Sequence, residues 1–374
     1  MSRIHITLVG GQPAPVYNTI VAVKPEKVIF IYSQESHDTL LRVVREISIK
    51  YEQIKLDPID IVKTDKKAKE LSDRHANDEV SLNISSGTKV WSYFFSITFE
   101  KKTNVSIVFM DQNNVLWDLK NKTSSKDFIF DMHVLFRLYG NSLENNYRKL
   151  SEYTTQDIEL IDKIENARRY NQNDFKYLMA VLDKQKQNQL RNNINGRFEL
   201  PSGSFVEWDK QDYNVNICLY KKGKAIHSTL NSPNIINLAF NSGWFELKIA
   251  NILSLWDKSK DICLNCKFPY VANIDKNEVD IIVNTGNKIL FVECKTQITN
   301  TTDIDKFRSV VKTYGGMGSK ALFVTDAKMS NIAKQKCEEH NILTFSLQDD
   351  NLGLPTYKVL QLLLDNELFN INTI

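Results

Sequence analysis

Two apolar runs flank Gly286-Asn287 in the stretch Glu278-Val279-Asp280-Ile281-Ile282-Val283-Asn284-Thr285-Gly286-Asn287-Lys288-Ile289-Leu290-Phe291-Val292-Glu293-Cys294-Lys295. A glycine-first pair between two β-prone segments predicts a β-hairpin with a two-residue turn. Counting outward from Thr285 and Lys288, Val283 faces Leu290 and Asp280 lies opposite Glu293. Opposed residues of an antiparallel pair hold their Cβ atoms roughly 4.5–5.5 Å apart. Lys295 is two residues past Glu293 and shares its face. An Asp, a Glu and a Lys therefore meet at one end of an otherwise apolar hairpin.

Facing like charges destabilise a sheet, and carboxylates among apolar residues are costly unless paired. Two arrangements relieve this. In one, a divalent cation sits between the carboxylates, with oxygen-preferring Mg²⁺ or Mn²⁺ suiting them better than Zn²⁺. Lys295 then orients a hydrolytic water or balances developing phosphate charge. In the other, Lys295 simply closes an ion pair at a sheet end.

A chain of 374 residues has room for two domains with sizeable cores. A net charge of +3 requires any nucleic-acid contact to come from local basic surface. No 18-residue apolar run suggests a membrane span, and the first residues lack the continuous apolar core of a signal peptide. Five cysteines form no evident disulfide framework, so a cytoplasmic setting is expected. Cys263-Leu264-Asn265-Cys266 is a single CxxC without the four ligands of a structural zinc site, and reads as two small residues in or near a strand. The six histidines show no ligand spacing.

Residues 1 to about 118 alternate strand-like segments (4–9, 28–32, 55–61, 80–84) with helix-like ones (17–23, 37–51, 63–74, 88–100). Segments 105–110 and 115–119 follow, as a hairpin around Gln112-Asn113-Asn114. Such alternation predicts an α/β domain with a largely parallel sheet, whose ligands bind beyond the carboxyl ends of the strands. Three such ends are chemically suggestive: Gly10-Gly11-Gln12-Pro13, Ser33-Gln34-Glu35-Ser36, and Ser85-Ser86-Gly87-Thr88-Lys89. Small residues before a helix expose N–H groups to an anion, with Thr88 adding a hydroxyl and Lys89 a cation. Alternatively, Ser86 and Thr88 only cap the helix. Neither a GxxxxGK(S/T) loop nor a GxGxxG fingerprint is present, which disfavours a dinucleotide-binding enzyme.

Residues 140–190 are polar but carry apolar residues at helical intervals, Ile158, Ile161 and Ile164, then Phe175, Leu178 and Leu182, and read as a helical connector. Strand-like segments 197–200, 205–208 and 214–220 follow. Asn241-Ser242-Gly243 opens a helix with Glu246 in its first turn. Glu246 is either a favourable charge at a helix N-terminus or a third carboxylate beside the hairpin. After Lys295, Thr302-Asp303-Ile304-Asp305 starts a helix bearing Lys306, Arg308 and Lys312, a candidate phosphate-binding surface or a solvated face.

The order Glu246, Asp280, Glu293-Cys294-Lys295 resembles the PD-(D/E)xK restriction-endonuclease-like superfamily, with Val279 in place of the usual Pro. The first half, with Ser85-Ser86-Gly87-Thr88-Lys89, resembles the CARF domains of CRISPR-associated proteins. The pairing resembles the dimeric ancillary nucleases of type III CRISPR systems, and Gly243-Trp244-Phe245-Glu246, Asp305-Lys306-Phe307-Arg308 and Tyr314-Gly315-Gly316 add to the likeness. The resemblance implies a Rossmann-like CARF sensor at 1–145, the connector at 146–190, and a PD-(D/E)xK α/β nuclease at 191–374. It implies Mg²⁺ or Mn²⁺ on Asp280, Glu293 and the Cys294 carbonyl, Lys295 assisting the attacking water, and Glu246 completing the acidic cluster. It further implies a homodimer gripping cyclic oligoadenylate, most simply cyclic tetra-adenylate, through Gly11, Gln12, Ser33, Gln34, Glu35, Ser85, Ser86, Gly87, Thr88 and Lys89. The substrate would be DNA, nicked or cut as a single strand, with single-stranded RNA also allowed. Two other functions fit the same residues: a ligand-responsive nucleic-acid-binding regulator without cleavage, and a restriction-type endonuclease needing no messenger.

Overall fold

The computed structural model describes residues 1–111, 115–125, 131–180, 184–270, 277–286, 288–298, 301–316, 319–349 and 353–371. The loop of residues 112–114 and Asn287 of the hairpin turn lie outside them. Two compact units result. The first comprises Met1–Leu143 with Asn284–Ile289 and Lys312–Ser319; the second comprises Glu144–Val283, Leu290–Val311 and Lys320–Ile374.

In the first unit, strands and helices alternate in the order β1 (Arg3–Leu8), α1 (Pro13–Val23), β2 (Lys27–Tyr32), α2 (His37–Arg45), β3 (Lys50–Lys55), α3 (Ile61–Arg74), β4 (Glu79–Asn83), α4 (Lys89–Phe99) and β5 (Val105–Met110). β6 (Leu116–Asp118), β7 (Thr123–Ser125) and α5 (Met132–Leu138) complete it. The sheet runs β3-β2-β1-β4-β5-β6-β7, parallel through β5 and antiparallel after it. The third strand corrects the expectation of 55–61, and α2 stops well short of residue 51. β3 is the sheet edge with the exposure pattern of a solvated strand, so its Lys, Glu and Gln mask a strand period.

One face of β1 carries Ile4, Ile6 and Leu8 into a core with Trp91, Phe95 and Phe99. Its other face is polar yet buried. His5 Nδ1 meets Ser81 Oγ at 2.7 Å, and Asn83 Nδ2 donates to Thr7 Oγ1 at 3.0 Å and to Thr19 Oγ1 at 2.6 Å. Those pairs follow from the register His5↔Ser81 and Thr7↔Asn83. The same unit holds the hairpin turn, where Asn18 Nδ2 of α1 donates to the Gly286 carbonyl at 3.4 Å.

The second unit opens with β8 (Arg148–Lys149) and three helices, α6 (Thr155–Tyr170), α7 (Gln172–Met179) and α8 (Lys184–Asn192). A four-stranded antiparallel sheet follows, β9 (Asn195–Glu199), β10 (Phe205–Asp209), β11 (Asn214–Lys221) and β12 (Lys224–Asn231), in the order β12-β11-β10-β9. Then come α9 (Ile235–Ala239), α10 (Gly243–Ser254), β13 (Asp261–Lys267), β14 (Glu278–Asn284), β15 (Ile289–Lys295), α11 (Thr302–Tyr314), β16 (Ser319–Thr325), α12 (Asn331–Glu339), β17 (Ile342–Ser346) and α13 (Thr356–Phe369). The mixed sheet is ordered β17-β16-β15-β14-β13-β8. α6 and α7 are integral to this unit: Ile161, Ile164 and Phe175 share one core with Trp244, Ile249, Ile281 and Val292. Among the described residues, no helix is long and apolar enough to cross a membrane.

Candidate active site and ligand-binding loops

The hairpin closes as its sequence requires. Thr285 N donates to the Lys288 carbonyl at 3.0 Å, and Lys288 N donates back to Thr285 Oγ1 at 3.2 Å. Counting along β14 and β15 from that bond sets Asp280 against Glu293. Both carboxylates are buried, Asp280 at 8% exposure and Glu293 at 2%. Between them stands the Lys295 ammonium. Its Nζ is 2.6 Å from Glu293 Oε1, 3.6 Å from Asp280 Oδ2 and 3.3 Å from the Cys294 carbonyl. Burial works against the charge of Lys295, but the two carboxylates outweigh it and hold its pKa above the ordinary lysine value. The second Asp280 contact is structural, because Cys294 N donates to Asp280 Oδ2 at 2.8 Å.

Glu246 reaches this site from α10. Desolvation, then the negative charge of Asp280, push its carboxyl well above the usual range, while Lys295 works in the opposite direction. Its helix begins in a tightly constrained loop. Asn241 and Ser242 both have positive φ, 55° and 68°, and a Cβ on Gly243 would lie 1.9 Å from the Asn237 carbonyl oxygen. Only glycine fits there. Among the described residues, no group of three or more His, Cys, Asp or Glu side chains is gathered closely enough to hold a metal. The oxygen donors that do converge are two carboxylates and one backbone carbonyl. Burial first, and then the charges of Asp280, Glu246 and Glu293, push the Cys294 thiol well up, so this residue offers its carbonyl and not a thiolate.

Lys295 opens onto a cleft of about 510 Å³ that Arg168, Gln172, Lys176, Trp244 and Gln297 also line. Arg168 stacks over Trp244, 5.6 Å from the ring centroid, and is paired with Asp326. Sequence reasoning missed Arg168 and Lys176, because α6 and α7 read only as helical periodicity. Glu246 lines a separate cleft of about 640 Å³ in the same unit. Lys306, Arg308 and Lys312 are exposed on α11, where Arg308 and Lys312 stand one turn apart and Lys306 projects from another side. None of the three lines either cleft. Cys263 and Cys266 are buried free thiols of β13.

In the first unit, β2, β1 and β4 are adjacent and parallel, so the three loops named from the sequence leave the same sheet edge side by side. The first and third touch. Gly10 N donates to Ser86 Oγ at 2.9 Å, and a Cβ on Gly10 would come within 2.7 Å of Gly87 N. Gly87, at φ 85°, would drive a Cβ to 2.7 Å from the Leu8 side chain. Thr88 is the N-cap of α4, accepting from Trp91 N at 3.2 Å and donating to the Pro58 carbonyl at 3.2 Å. Ser85 Oγ accepts from Met110 N at 2.7 Å and bonds Asn83 Oδ1. Their hydroxyls are thus engaged within the fold. In the second loop Ser33 N donates to Ser36 Oγ at 2.9 Å, Lys55 Nζ donates to Gln34 Oε1, and a hydrogen bond from Ser33 lowers the pKa of exposed Glu35. Gly11, Gln12, Gln34, Glu35 and Lys89 remain exposed at this edge.

Taken together, the first unit is a Rossmann-like α/β domain and the second a restriction-endonuclease-like α/β domain with an acidic hairpin and a lysine. Comparison of the sequence with family models agrees. The Card1 CARF domain model matches residues 4–135, and the Card1-like endonuclease domain model matches residues 237–354. The chain therefore carries a Card1-type CARF domain followed by a Card1-like endonuclease domain. No curated protein matches it. Among solved structures it is similar to Can2 from Sulfobacillus thermosulfidooxidans in complex with cyclic tetra-adenylate, at 17% identity and TM-score 0.59, over 98% of this chain and 99% of that one. Protein VC1899 from Vibrio cholerae is similar at 16% identity and TM-score 0.63, over 92% and 94%. A type III CRISPR defence DNA nuclease activated by cyclic oligoadenylate is similar at 15% identity and TM-score 0.56, and this chain spans 52% of its length.

Proposed function

We propose that this protein is an antiviral-defence endonuclease that hydrolyses phosphodiester bonds with Mg²⁺ or Mn²⁺ when its CARF domain binds cyclic oligoadenylate, most simply cyclic tetra-adenylate. The observation that carries the chemistry is the convergence of Asp280 Oδ2, Glu293 Oε1 and the Cys294 carbonyl on a single cation, the Lys295 ammonium. Three hard oxygen donors around one positive charge suit a divalent ion of this class. Asp280, Glu293 and the Cys294 carbonyl would hold it, and it would polarise the phosphate and acidify a bound water. Lys295, displaced toward its cleft, then orients the attacking water and offsets charge on the phosphate oxygens. Glu246, whose pKa is raised by desolvation and by the charge of Asp280, would exchange a proton or a hydrogen bond with the attacking water. Arg168 and Lys176 hold the strand's phosphates beside Lys295, and exposed Lys306, Arg308 and Lys312 of α11 are separate candidates for phosphate contacts away from that cleft.

On the sensor side, the glycine contact of the first and third loops brings backbone close to a ligand, and Lys89 supplies a cation. Exposed Gln12, Gln34 and Glu35 suit adenine amino groups, since a carboxylate repels phosphate but accepts from N6. Ser33, Ser85, Ser86 and Thr88 hold the shape of these loops, Gly87 allows the third loop to pack on Leu8, and exposed Gly11 leaves room for the ring. A cyclic tetra-adenylate has approximate two-fold symmetry, so two copies of this edge related by a dyad would grip one ring, which makes the working unit a homodimer in the cytoplasm.

The test is a cleavage assay on labelled DNA and RNA with Mg²⁺ or Mn²⁺, with and without each cyclic oligoadenylate. Metal-dependent cleavage that rises with cyclic tetra-adenylate is expected. Cleavage indifferent to every ring would remove the sensor half of the reading, and stable nucleic-acid binding without cleavage would replace the enzyme with a regulator.

A further inference from the structure

The strand end that carries Lys295 is held by the same residue that holds Arg168. Just past β15 and β16, Asp326 N donates to the Lys295 carbonyl at 3.2 Å and Ala327 N donates to the Thr296 carbonyl at 3.1 Å. The buried Asp326 carboxylate accepts from Arg168 Nη1, and the guanidinium lies over Trp244, its Cζ 5.6 Å from the ring centroid. Its other N–H groups meet no acceptor among the described residues, and Arg168 lines the cleft of about 510 Å³ beside Lys295. A planar fork pinned at one nitrogen and stacked on its face has its free donors fixed in direction. This pair is not what docks α6. Ile161, Ile164 and Ala167 share a core with Trp244 and Ile249, and Glu165, one turn before Arg168, takes the Lys248 ammonium of α10 at 2.9 Å and 3.0 Å. A buried ion pair can be replaced by apolar residues with little or no loss of stability, so stability alone does not account for one set into a cleft wall.

We infer that Asp326 is a positioning residue for cleavage: its carboxylate sets Arg168 as a preformed fork for two oxygens of one substrate phosphate, and its backbone N–H fixes the strand end that carries Lys295. The inference rests on the nuclease reading above and deepens it. An arginine matches a phosphate bidentately, whereas a lysine binds it as a point charge. A free arginine side chain loses rotamer freedom with each phosphate it binds, while one held by Asp326 and Trp244 has lost it already on folding. The arrangement has a cost, because a carboxylate near the phosphate repels it. If Asp326 were only a negative charge in the wall, removing that charge would strengthen binding of a polyanion. As the holder of Arg168, its removal weakens binding instead. The bond from Asp326 N to the Lys295 carbonyl is made by the backbone, so a side-chain substitution leaves it in place and probes the Arg168 arm alone.

The experiment measures binding without metal and cleavage with it. In EDTA, the anisotropy of labelled DNA and RNA strands is followed with the full-length protein, and melting temperatures are recorded alongside. Arg168→Ala should weaken binding about tenfold, as expected for losing a charge-assisted hydrogen bond. Asp326→Asn should weaken it about fivefold, and the double variant should be no weaker than Arg168→Ala, because the carboxylate acts through the guanidinium. Unchanged or tighter binding by Asp326→Asn, or a double variant whose losses multiply, would overturn the positioning role. With metal and activator, free guanidinium ion at millimolar concentration should restore part of the cleavage lost in Arg168→Ala. It should restore none when Asp326→Ala is added, since nothing then holds the ion over Trp244. Equal rescue with and without the Asp326 carboxylate would overturn the inference whatever the melting temperatures of the variants. A wild type that cleaves nothing, while Asp326→Asn still weakens strand binding, would instead overturn the nuclease reading, so the two failures are distinct.

Discussion

Replacing Lys295 with alanine separates what the ammonium does for stability from what it does for chemistry. In the structure Asp280 and Glu293 are buried opposite one another, and the Lys295 ammonium lies 3.6 Å and 2.6 Å from them. Removing one partner from a buried ion pair costs about 3–5 kcal/mol. The Lys295 side chain is 31% exposed, so water screens part of the interaction and the expected loss is about 2–3 kcal/mol. Trp208, Trp244 and Trp256 lie in the core of the same unit and report its unfolding by fluorescence. In EDTA, Lys295→Ala should therefore unfold at lower urea than the wild type. Mn²⁺ should restore it, since a ligand at a hundred times its Kd stabilises by about 2.7 kcal/mol. The restoring concentration should be lower for the variant than the wild type needs for an equal gain, because the ammonium competes for the three oxygens that would hold the metal. The variant should nevertheless be inactive. Two results would refute this reasoning: a Lys295→Ala protein as stable as the wild type in EDTA, or one that binds Mn²⁺ more weakly.

Asp280→Asn should abolish cleavage while leaving affinity for cyclic tetra-adenylate unchanged by calorimetry; full cleavage would remove Asp280 from the site. Asn18→Ala, which deletes the bond to the Gly286 carbonyl, should reduce stimulation by the ring more than it reduces ring affinity, measured as the ratio of rates with and without ligand. Gly243→Ala should destabilise by several kcal/mol or displace α10, since its Cβ would lie 1.9 Å from the Asn237 oxygen, and a wild-type melting temperature would contradict that packing. His5 predicts a pH dependence. Complete burial lowers its pKa from 6.5 to about 3, so the unfolded chain binds its proton first as pH falls. Stability from this residue is intact above pH 6.5 and is lost progressively down to pH 3, on the order of 3 kcal/mol by pH 4.5. His5→Gln should shed that share of the acid sensitivity in denaturant titrations at pH 7 and 4.5, and an unchanged pH difference would count against it.

What was legible in the sequence was local and periodic. The hairpin could be read because its turn, its two carboxylates and its lysine lie within 18 residues of alternating pattern. The parallel core of the first unit was legible for the same reason, as Ile4, Ile6 and Leu8 alternate with His5 and Thr7. Two of the edge strands were not. β3 and β12 stand at the ends of their sheets, and their outward residues are polar, so solvation erases the contrast on which a strand period depends. The two-residue turn Lys222-Gly223, with φ 50° and 78°, was the available signal for β12. Arg168 was illegible for a different reason: it acts beside residues about 75 to 160 positions away, Trp244 and Asp326, and no local pattern encodes that.

The sequence also leaves hidden how the proposed ring could bear on carboxylates elsewhere in the chain. The turn of the β14–β15 hairpin belongs to the first unit, whereas Asp280 and Glu293 on its strands belong to the second. Asn18, fully buried on α1, holds the Gly286 carbonyl, six residues from Asp280. α1 itself starts at Pro13, directly after Gln12 of a proposed ligand loop. A ligand shifts an equilibrium only by its differential affinity for two states. On the proposed reading the states to compare are two positions of α1, because a change there would bear on the hairpin turn through one hydrogen bond within the first unit. The charges at the end of that hairpin are balanced by the Lys295 ammonium, which on the proposed mechanism would yield to a metal, so a displacement of β14 against β15 would alter which cation the site prefers.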